Sequence, residues 1–168
     1  MPAFNLGRDI HRNILRVHAI FAGRVPFEIV AVDDGSEDDT AAEIRRAAED
    51  LPGVVLPVYA FANNGKGAAL ASGFARSTGS HVLLLDADLD LNPAYVWRFF
   101  AIMLAEGADV VIGSKLHPES TIRYPLRRRI ASRVYYGIVK LLVGLPVHDT
   151  QTGMKLFRRE ALDYAFSR

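Results

Sequence analysis

Three carboxylates follow a short apolar run in the segment HVLLLDADLDLNP, residues 81–93. Asp86, Asp88 and Asp90 occupy every second position, and side chains at that spacing point the same way in an extended chain. Carboxylates so close together repel one another, and a divalent cation with a preference for oxygen relieves that repulsion. Asp88 and Asp90 are therefore candidate metal ligands, joined by Asp86 if the chain stays extended. The alternative is a solvated acidic turn in which Asp90 or Asn92 caps the next helix.

A second acidic cluster, Asp33-Asp34-Gly35-Ser36, also follows an apolar run. In open α/β sheets ligands bind at the carboxyl ends of the strands. If both apolar runs are parallel strands, their acidic ends lie at the same edge of the sheet. Two acidic clusters at one edge favour a cation site over a solvated turn.

Basic and glycine-rich segments supply candidate phosphate contacts. Asn64-Gly65-Lys66-Gly67 exposes backbone N–H groups at a predicted helix start, where anions are favoured, but it is not a Walker motif. A plain turn explains this loop equally well. From Ser114 onward there are 11 Lys and Arg against 4 Asp and Glu, leaving 9 against 15 before it. This basic third favours contact of the 127–129 arginine run with phosphate or lipid headgroups over a merely solvated helix face.

Composition narrows the class of protein. The chain has 168 residues, half of them apolar, which is enough for one domain with a sizeable core. It has no cysteine, which excludes disulfides, thiolate zinc sites and a cysteine nucleophile, and a reducing cytosol is the default. The longest apolar stretch, 134–147, contains Lys140 and is shorter than the ~20 residues of a membrane span. We interpret it as core rather than as an interfacial segment.

Alternating strand and helix patterns predict an α/β fold, an open and mostly parallel sheet with helices on both faces. The predicted strands are 26–36, 54–61, 81–88 and 108–115, and the predicted helices are 12–21, 36–53, 65–79, 94–107 and 123–144. Only Met1 to Phe4 is available as a strand before the first helix, and 157–168 breaks off inside a helical pattern. We therefore expect a chain truncated at both ends, which in-frame apolar codons upstream of Met1 would support.

Five motifs occur in an order that resembles family 2 glycosyltransferases, and more narrowly the dolichyl- or polyprenyl-phosphate mannosyltransferase and glucosyltransferase branch. They are VDDGSEDDT, NNGKGAALASGFARSTG, LLLDADLD, DVVIGSK and RRRIASRVYYGIVKLLVGLPVHDTQTGMKLFRREAL. The resemblance covers nearly the whole chain. It implies the Rossmann-like A-type fold of nucleotide-diphospho-sugar transferases. It also implies one catalytic domain over 1–168, with a nucleotide-sugar part at 1–113 and an incomplete acceptor-side part at 114–168.

On the donor side, the resemblance implies nucleotide contacts at the ends of the first two strands. Pro2 and Phe4 match the family's P-A-Y-N-E stretch, although Phe4 replaces its tyrosine and Leu6 stands where a glutamate is expected. Val32 and Asp34 match the stretch that contacts the base and ribose.

The resemblance assigns the DADLD segment to the donor and its metal. Asp86 and Ala87 match the nucleotide-sugar motif, and Asp88 matches a direct metal ligand. Asp90 falls where this branch usually has glutamine, and a carboxylate there still suits Mg²⁺ or Mn²⁺. Two lysines complete the candidate donor ligands, Lys66 and, where arginine is common, Lys115.

On the acceptor side, Arg129 and Ser132 match the family's R-x-x-S element near the acceptor phosphate, with Arg128 as an alternative to Arg129. Asp149 and Gln151 belong to the DTQTGMK segment, which matches the D-T-Q-x-G-F-K loop beside the acceptor.

The function so implied is inverting transfer of a hexose from a GDP-mannose or UDP-glucose type donor to a polyprenyl or dolichyl phosphate. A cation on Asp88 and Asp90 would offset the charge of the leaving diphosphate. An ionised lipid phosphate needs no strong base, whereas a hydroxyl acceptor would need one, for which Asp149 is the candidate. We expect no nucleic-acid partner, and a cytoplasmic location with peripheral contact at the inner membrane face.

Three other interpretations remain at this stage. VDD, Asp86 and Lys115 mimic the acidic pair, phosphoacceptor and lysine of a receiver-type signalling module. A D-x-D aspartyl phosphatase shares the motif, but Gly-Thr normally follows its second aspartate, where this chain has Leu89-Asp90. The third interpretation is an inactive, truncated fragment that binds nucleotide weakly or not at all.

Overall fold

The computed structural model describes residues 1–113 and 153–166, which alternate between strands and helices as the sequence predicts. The strands are β1 Pro2–Ala3, β2 Ile29–Asp33, β3 Val55–Tyr59, β4 His81–Leu85, β5 Val110–Ile112 and β6 Met154–Arg158. The helices are α1 Ile10–Phe21, α2 Thr40–Asp50, α3 Lys66–Arg76, α4 Val96–Glu106 and α5 Arg159–Phe166, with a short 3₁₀ turn at Pro93–Tyr95. The predicted α/β class is confirmed.

The first sheet is parallel, in the order β1-β2-β3. All five residues of β2, IVAVD, are buried, as expected for a strand in a parallel sheet covered on both faces. β3 pairs with β2 from Ile29 opposite Val55 to Asp33 opposite Tyr59. The central strand of this sheet therefore ends at Asp33, directly before Asp34.

A strand ahead of the first helix is present, although only two residues form it. β1 pairs in parallel with β2, Pro2 opposite Val32 and Ala3 opposite Asp33. Met1 continues the same ladder: its amine donates to the Val30 carbonyl at 2.8 Å, and its carbonyl accepts from the Val32 N–H at 2.9 Å.

The second sheet has the order β4-β6-β5, and its β4–β6 pair is antiparallel. His81 lies opposite Arg158, and Leu85 lies opposite Met154. The sequence did not indicate β6: Met154 and Lys155 were assigned to the acceptor loop, and the helical pattern 157–168 was wrong for Phe157 and Arg158, which belong to this strand. The helix itself is present as α5, and β6 places the segment after Gly153 beside the end of β4.

Helix α1 packs into the same core cluster as Ala87 and Leu89 of the second acidic segment. It begins at Ile10, two residues before the predicted start, and its buried face recurs every three or four positions, as a helix stripe requires. The buried members of that stripe are Ile10, Asn13, Ile14, Val17 and Phe21. Asn13 is the polar exception, with 3% of its surface exposed.

A cavity of about 350 Å³ lies between the two sheets. Its walls are largely apolar and include Val30 and Val32 of β2, Leu83 and Leu85 of β4, and Phe100 of α4. None of the aspartates of the two acidic clusters lines it. We therefore do not assign this cavity to a charged diphosphate.

The contacts within the chain group it into two units, Met1–Val111 with Gly153–Arg168, and Ile112–Thr152. Several predictions fall outside the described residues, namely the 123–144 helix, the 134–147 stretch, Lys115, Arg129, Ser132, Asp149 and Gln151. In the described part, no helix combines the length and apolar character needed to cross a membrane.

Candidate active site

The turn after β2 is built by Asp33 and Gly35. The Asp33 Oδ1 atom accepts from the Ser36 N–H at 3.2 Å and from the Ser36 hydroxyl at 2.5 Å. Gly35 has a φ of +70°, and a Cβ there would lie 2.4 Å from the Ala62 carbonyl carbon. Glycine is required here both by the left-handed backbone and by the close approach of the 61–64 loop.

The glycine loop before α3 connects the two acidic clusters. Asp34, which is 4% exposed, accepts from the Asn64 N–H at 3.0 Å through Oδ1. Two residues later, the Lys66 Nζ atom lies 2.5 Å from Asp86 Oδ1. The 64–66 loop therefore connects the residue after β2, in the first sheet, with the residue after β4, in the second, and places the Lys66 ammonium against Asp86.

The DADLD segment turns instead of staying extended. β4 ends at Leu85, and the Leu89 N–H donates to the Asp86 carbonyl at 3.2 Å. Leu89 has a φ of +53° and is 8% exposed, so the turn buries Leu89 and leaves Asp88 and Asp90 exposed. Asp86 was expected to point the same way as Asp88 and Asp90 only if the chain stayed extended. Because the chain turns, Asp86 pairs with Lys66 instead.

The capping role that Asp90 or Asn92 could have taken belongs to Asn92. Its Oδ1 atom accepts from the Ala94 N–H at 3.0 Å at the start of the 3₁₀ turn. The Asp90 N–H donates to Asp88 Oδ1 at 3.2 Å. The turn therefore holds the backbone of one candidate metal ligand against the carboxylate of the other.

Two predicted donor-site residues are buried in the core. Val32 and Ala87 have exposed fractions of 1% and 2%. Their side chains are not accessible from solvent, so any contribution they make to nucleotide binding passes through the backbone. The Ala87 carbonyl is itself held by the side chain of Asn13, whose Nδ2 donates to it at 2.9 Å.

The PAFN segment lies beside the turn after β2. Asn5 donates its N–H to the Ser36 hydroxyl at 2.9 Å and accepts from the Glu37 N–H through Oδ1 at 3.0 Å. Phe4 is 44% exposed and available to a ligand. Leu6, which stands where the family has glutamate, packs against the core.

Gly153 contacts Asp86 from the opposite side of the turn. Its carbonyl accepts from the Asp86 N–H at 2.9 Å, and a Cβ on Gly153 would lie 2.3 Å from Asp86 Oδ2. Sequence reasoning placed the DTQTG loop near the acceptor but did not connect Gly153 with Asp86. It missed Asn13, and it named Asn64 only as part of the glycine loop, without its bond to Asp34. For Asn13 a signal existed: a polar residue in a stripe otherwise made of aliphatic and aromatic side chains.

The Met1 amine is buried, and the negative charge of Asp86 acts on it. Burial lowers the pKa of the Met1 amine from 8.0 to about 5, because the charged form loses its hydration, and the negative charge of Asp86 opposes this shift only in part.

In the described residues, no group of three or more His, Asp or Glu side chains is arranged to hold a metal. Asp88 and Asp90 offer two exposed carboxylates within one turn. This donor set suits Mg²⁺ or Mn²⁺, which proteins often bind through one or two carboxylates while substrate phosphates and water complete the coordination.

In α/β folds ligands bind at the carboxyl ends of the strands, which is where the two acidic turns and the glycine loop lie in this chain. The chain belongs to the glycosyl transferase family 2, whose family model matches residues 1–166. The receiver and phosphatase interpretations are therefore wrong.

Two curated relatives come from the lipid-phosphate branch of this family. A dolichyl-phosphate beta-glucosyltransferase ALG5A of Trichomonas vaginalis is 36% identical over 150 residues, which cover 83% of this chain and 44% of the relative. A polyprenol monophosphomannose synthase of Mycolicibacterium smegmatis is 32% identical over 167 residues, covering 97% of this chain and 62% of the relative. The chain thus spans less than two thirds of the length of either relative.

The same fold occurs in solved glycosyltransferase structures. The mannosyltransferase PcManGT of Pyrobaculum calidifontis, in complex with GDP-Man and Mn²⁺, superimposes with a TM-score of 0.68 at 22% identity, covering 98% of this chain and 44% of that one. The predicted A-type fold is confirmed.

Proposed function

We propose that this chain transfers a hexose, with inversion, from a nucleotide-diphosphate sugar to a polyprenyl or dolichyl phosphate. The observation that carries the proposal is the connection of Asp34 through the Asn64–Lys66 loop to Asp86, which links both acidic clusters and a lysine. The names of the lipid-phosphate relatives support the acceptor class.

The donor would lie along this connection. We propose that the nucleoside contacts the exposed ring of Phe4 and Asp34, a buried carboxylate held by the Asn64 N–H, next to Pro2 in β1. Lys66 is 55% exposed at its side chain, so its ammonium can contact a diphosphate while keeping Asp86 nearby. Lys115 is proposed as a second phosphate ligand.

Asp88 and Asp90 are proposed to hold Mg²⁺ or Mn²⁺. When bound, the cation offsets the negative charge that develops on the departing diphosphate. The chain's own contribution is to present the two carboxylates on a turn fixed by the Leu89 N–H and by the Asp90 N–H.

The acceptor side rests on residues carried over from the family. Arg129, Ser132 and Gln151 are proposed to receive the lipid phosphate, which is already largely ionised near neutral pH and can attack without a strong base. Asp149 would be required as a base only if the acceptor were a hydroxyl. We propose that the transfer takes place in the cytoplasm, with the protein in peripheral contact with the inner face of the membrane.

Thermal stabilisation of the purified chain tests the donor half of the proposal. GDP-mannose, UDP-glucose, GDP and UDP are added one at a time, with and without Mn²⁺. We expect at least one nucleotide to raise the melting temperature only when Mn²⁺ is present, by the few degrees that saturating ligand gives. If none does, this chain is the inactive fragment considered above.

Asp88→Ala and Asp163→Ala form the matched pair for this experiment, since Asp163 is exposed on α5 and belongs to neither acidic turn. Asp88→Ala should abolish the Mn²⁺-dependent shift, and Asp163→Ala should leave it unchanged. Transfer of radiolabelled hexose to polyprenyl phosphate in detergent then tests the acceptor half.

A further inference from the structure

Asn13 is buried on a helix face that otherwise carries Ile10, Ile14, Val17 and Phe21. A buried amide is unfavourable unless it forms hydrogen bonds, and an aliphatic side chain would suit this stripe better. Its Nδ2 atom donates to the Ala87 carbonyl at 2.9 Å, across 74 positions of sequence. The polar residue is therefore matched to one particular backbone group, in the middle of the DAD turn.

The backbone of this turn is restrained at its first residue from two directions. The Asp86 N–H donates to the Gly153 carbonyl at 2.9 Å, and the Asp86 carbonyl accepts from Leu89. Ala87 is 2% exposed, and its carbonyl belongs to the peptide unit that leads directly into Asp88. The bond from Asn13 thus fixes the last peptide before the first candidate metal ligand.

Asp88 itself lies at the surface. Because its side chain is exposed, its direction depends on the peptide that carries it and on its contact with the Asp90 N–H at 3.2 Å. A rotation of the Ala87–Asp88 peptide would move the Asp88 carboxylate relative to Asp90 without disturbing the strand that ends at Leu85.

We propose that Asn13 is a positioning residue for the donor site: its amide holds the Ala87 carbonyl so that Asp88 and Asp90 face one cation together. This inference rests on the proposed function for the role of the two aspartates. Asn13 touches neither the donor nor the cation. Replacing a residue that orients a metal ligand without binding the metal typically lowers the metal affinity by about 10–100-fold.

The test compares Asn13→Leu, which removes the donor at similar volume, with Ile14→Val on the same buried face of α1 as the control for core damage. Two quantities are measured in the full chain: the apparent affinity for Mn²⁺ in the presence of the nucleotide that stabilises the wild type, and amide hydrogen exchange. The relevant amides are those of Leu89 and Asp90, with β2 as the internal reference.

We expect Asn13→Leu to weaken the apparent Mn²⁺ affinity about ten-fold or more and to accelerate exchange at Leu89 and Asp90, with β2 unchanged. Ile14→Val should alter neither quantity selectively. If Asn13→Leu behaves as Ile14→Val does in both measurements, the positioning role is overturned.

The outcome separates this inference from the proposed function. If the wild type binds no nucleotide, the proposed function fails, and faster exchange confined to 88–90 still decides whether Asn13 holds the turn. If Asn13→Leu does not fold, the side-chain amide protons of Asn13 are followed by NMR in the wild type. Slow exchange that persists while Mg²⁺ and nucleotide shift these signals supports the role, and rapid exchange with unshifted signals refutes it.

Discussion

The Lys66 ammonium and the Asp86 carboxylate form an ion pair, with 2.5 Å between Nζ and Oδ1, that joins the first turn of α3 to the end of β4. Both side chains are partly exposed, at 55% and 33%, so water screens their attraction. Pairs of this kind contribute about 0–1 kcal/mol to folding. The pair is therefore more important for keeping the Lys66 ammonium beside Asp86 than for stabilising the fold.

Replacing Lys66 by Met should separate binding from stability. The free energy of unfolding should change by less than about 1 kcal/mol, whereas nucleotide-diphosphate affinity should fall about ten-fold or more, because a charged contact is lost. Isothermal titration with the stabilising nucleotide and Mn²⁺, beside urea unfolding, measures both. Lys66→Arg, which keeps the charge, is the control, and equal affinity in all three proteins would remove Lys66 from the donor site.

Gly153→Ala should disrupt the site through a clash with Asp86. The new Cβ would lie 2.3 Å from Asp86 Oδ2 and 2.7 Å from its Cγ, so Asp86 or the start of β6 must shift. We expect a loss of about 1–3 kcal/mol in the free energy of unfolding, the usual effect of overpacking.

Gly67→Ala provides the comparison for Gly153, because nothing lies within 4 Å of a Cβ at that position in α3. Alanine there should stabilise the helix by about 0.5–1 kcal/mol. Urea denaturation of the two variants would contradict the close contact if both gave the same change.

Asp90→Gln restores the residue that this branch usually has. One carboxylate charge is lost beside a divalent cation, so the apparent Mn²⁺ affinity should fall about thirty-fold, the effect of ~2 kcal/mol in a water-like environment. Asp88→Asn should have the larger effect. Manganese titrations followed by melting temperature measure both, and an unchanged affinity for Asp90→Gln would leave Asp88 as the single carboxylate ligand.

The buried Met1 amine should make stability depend on pH. Its pKa is about 5 in the folded chain against an ordinary 8.0, so between these values the unfolded chain binds more protons and stability rises with pH. The cost of burying the amine should approach ~4 kcal/mol below pH 5 and vanish above pH 8.

Acetylating the amine removes this titration while other groups continue to titrate in both forms. The difference in the free energy of unfolding between free and acetylated chains, measured from pH 5 to pH 8, should therefore shrink as pH rises. Intact mass must show that Met1 is retained. Parallel pH profiles for the two forms would contradict the lowered pKa.

Local sequence patterns were sufficient to predict most of the elements. β2 and β4 lie within the apolar runs predicted as strands, and α1 contains the predicted helix 12–21, because burial determines which residue types can stand there; β2 is buried throughout, whereas Leu85 alone is buried in β4. β6 was missed because five residues of MKLFR become a strand only through pairing with β4, which its own pattern does not reveal.

The site was predictable only as two separate acidic ends. Ligands bind at the carboxyl ends of strands in α/β folds, so the sequence could predict that Asp34 and Asp86 serve one site, but not that β2 and β4 belong to two sheets. The ion pair of Lys66, the contact of Gly153 and the bond from Asn13 join residues distant in sequence. These contacts depend on how the helices pack on the sheets. The spacing of residues along the chain does not reveal that packing.

The position of β6 also bears on the time at which the site can form. β6 is the last strand in the sequence, yet it lies between β4 and β5, so the second sheet cannot assemble until residues 154–158 are available. The Asp86 N–H obtains its partner, the Gly153 carbonyl, at the same stage. During synthesis on the ribosome the parallel sheet β1-β2-β3 can form first, and the contacts around Asp86 are completed only after β6 has been synthesised.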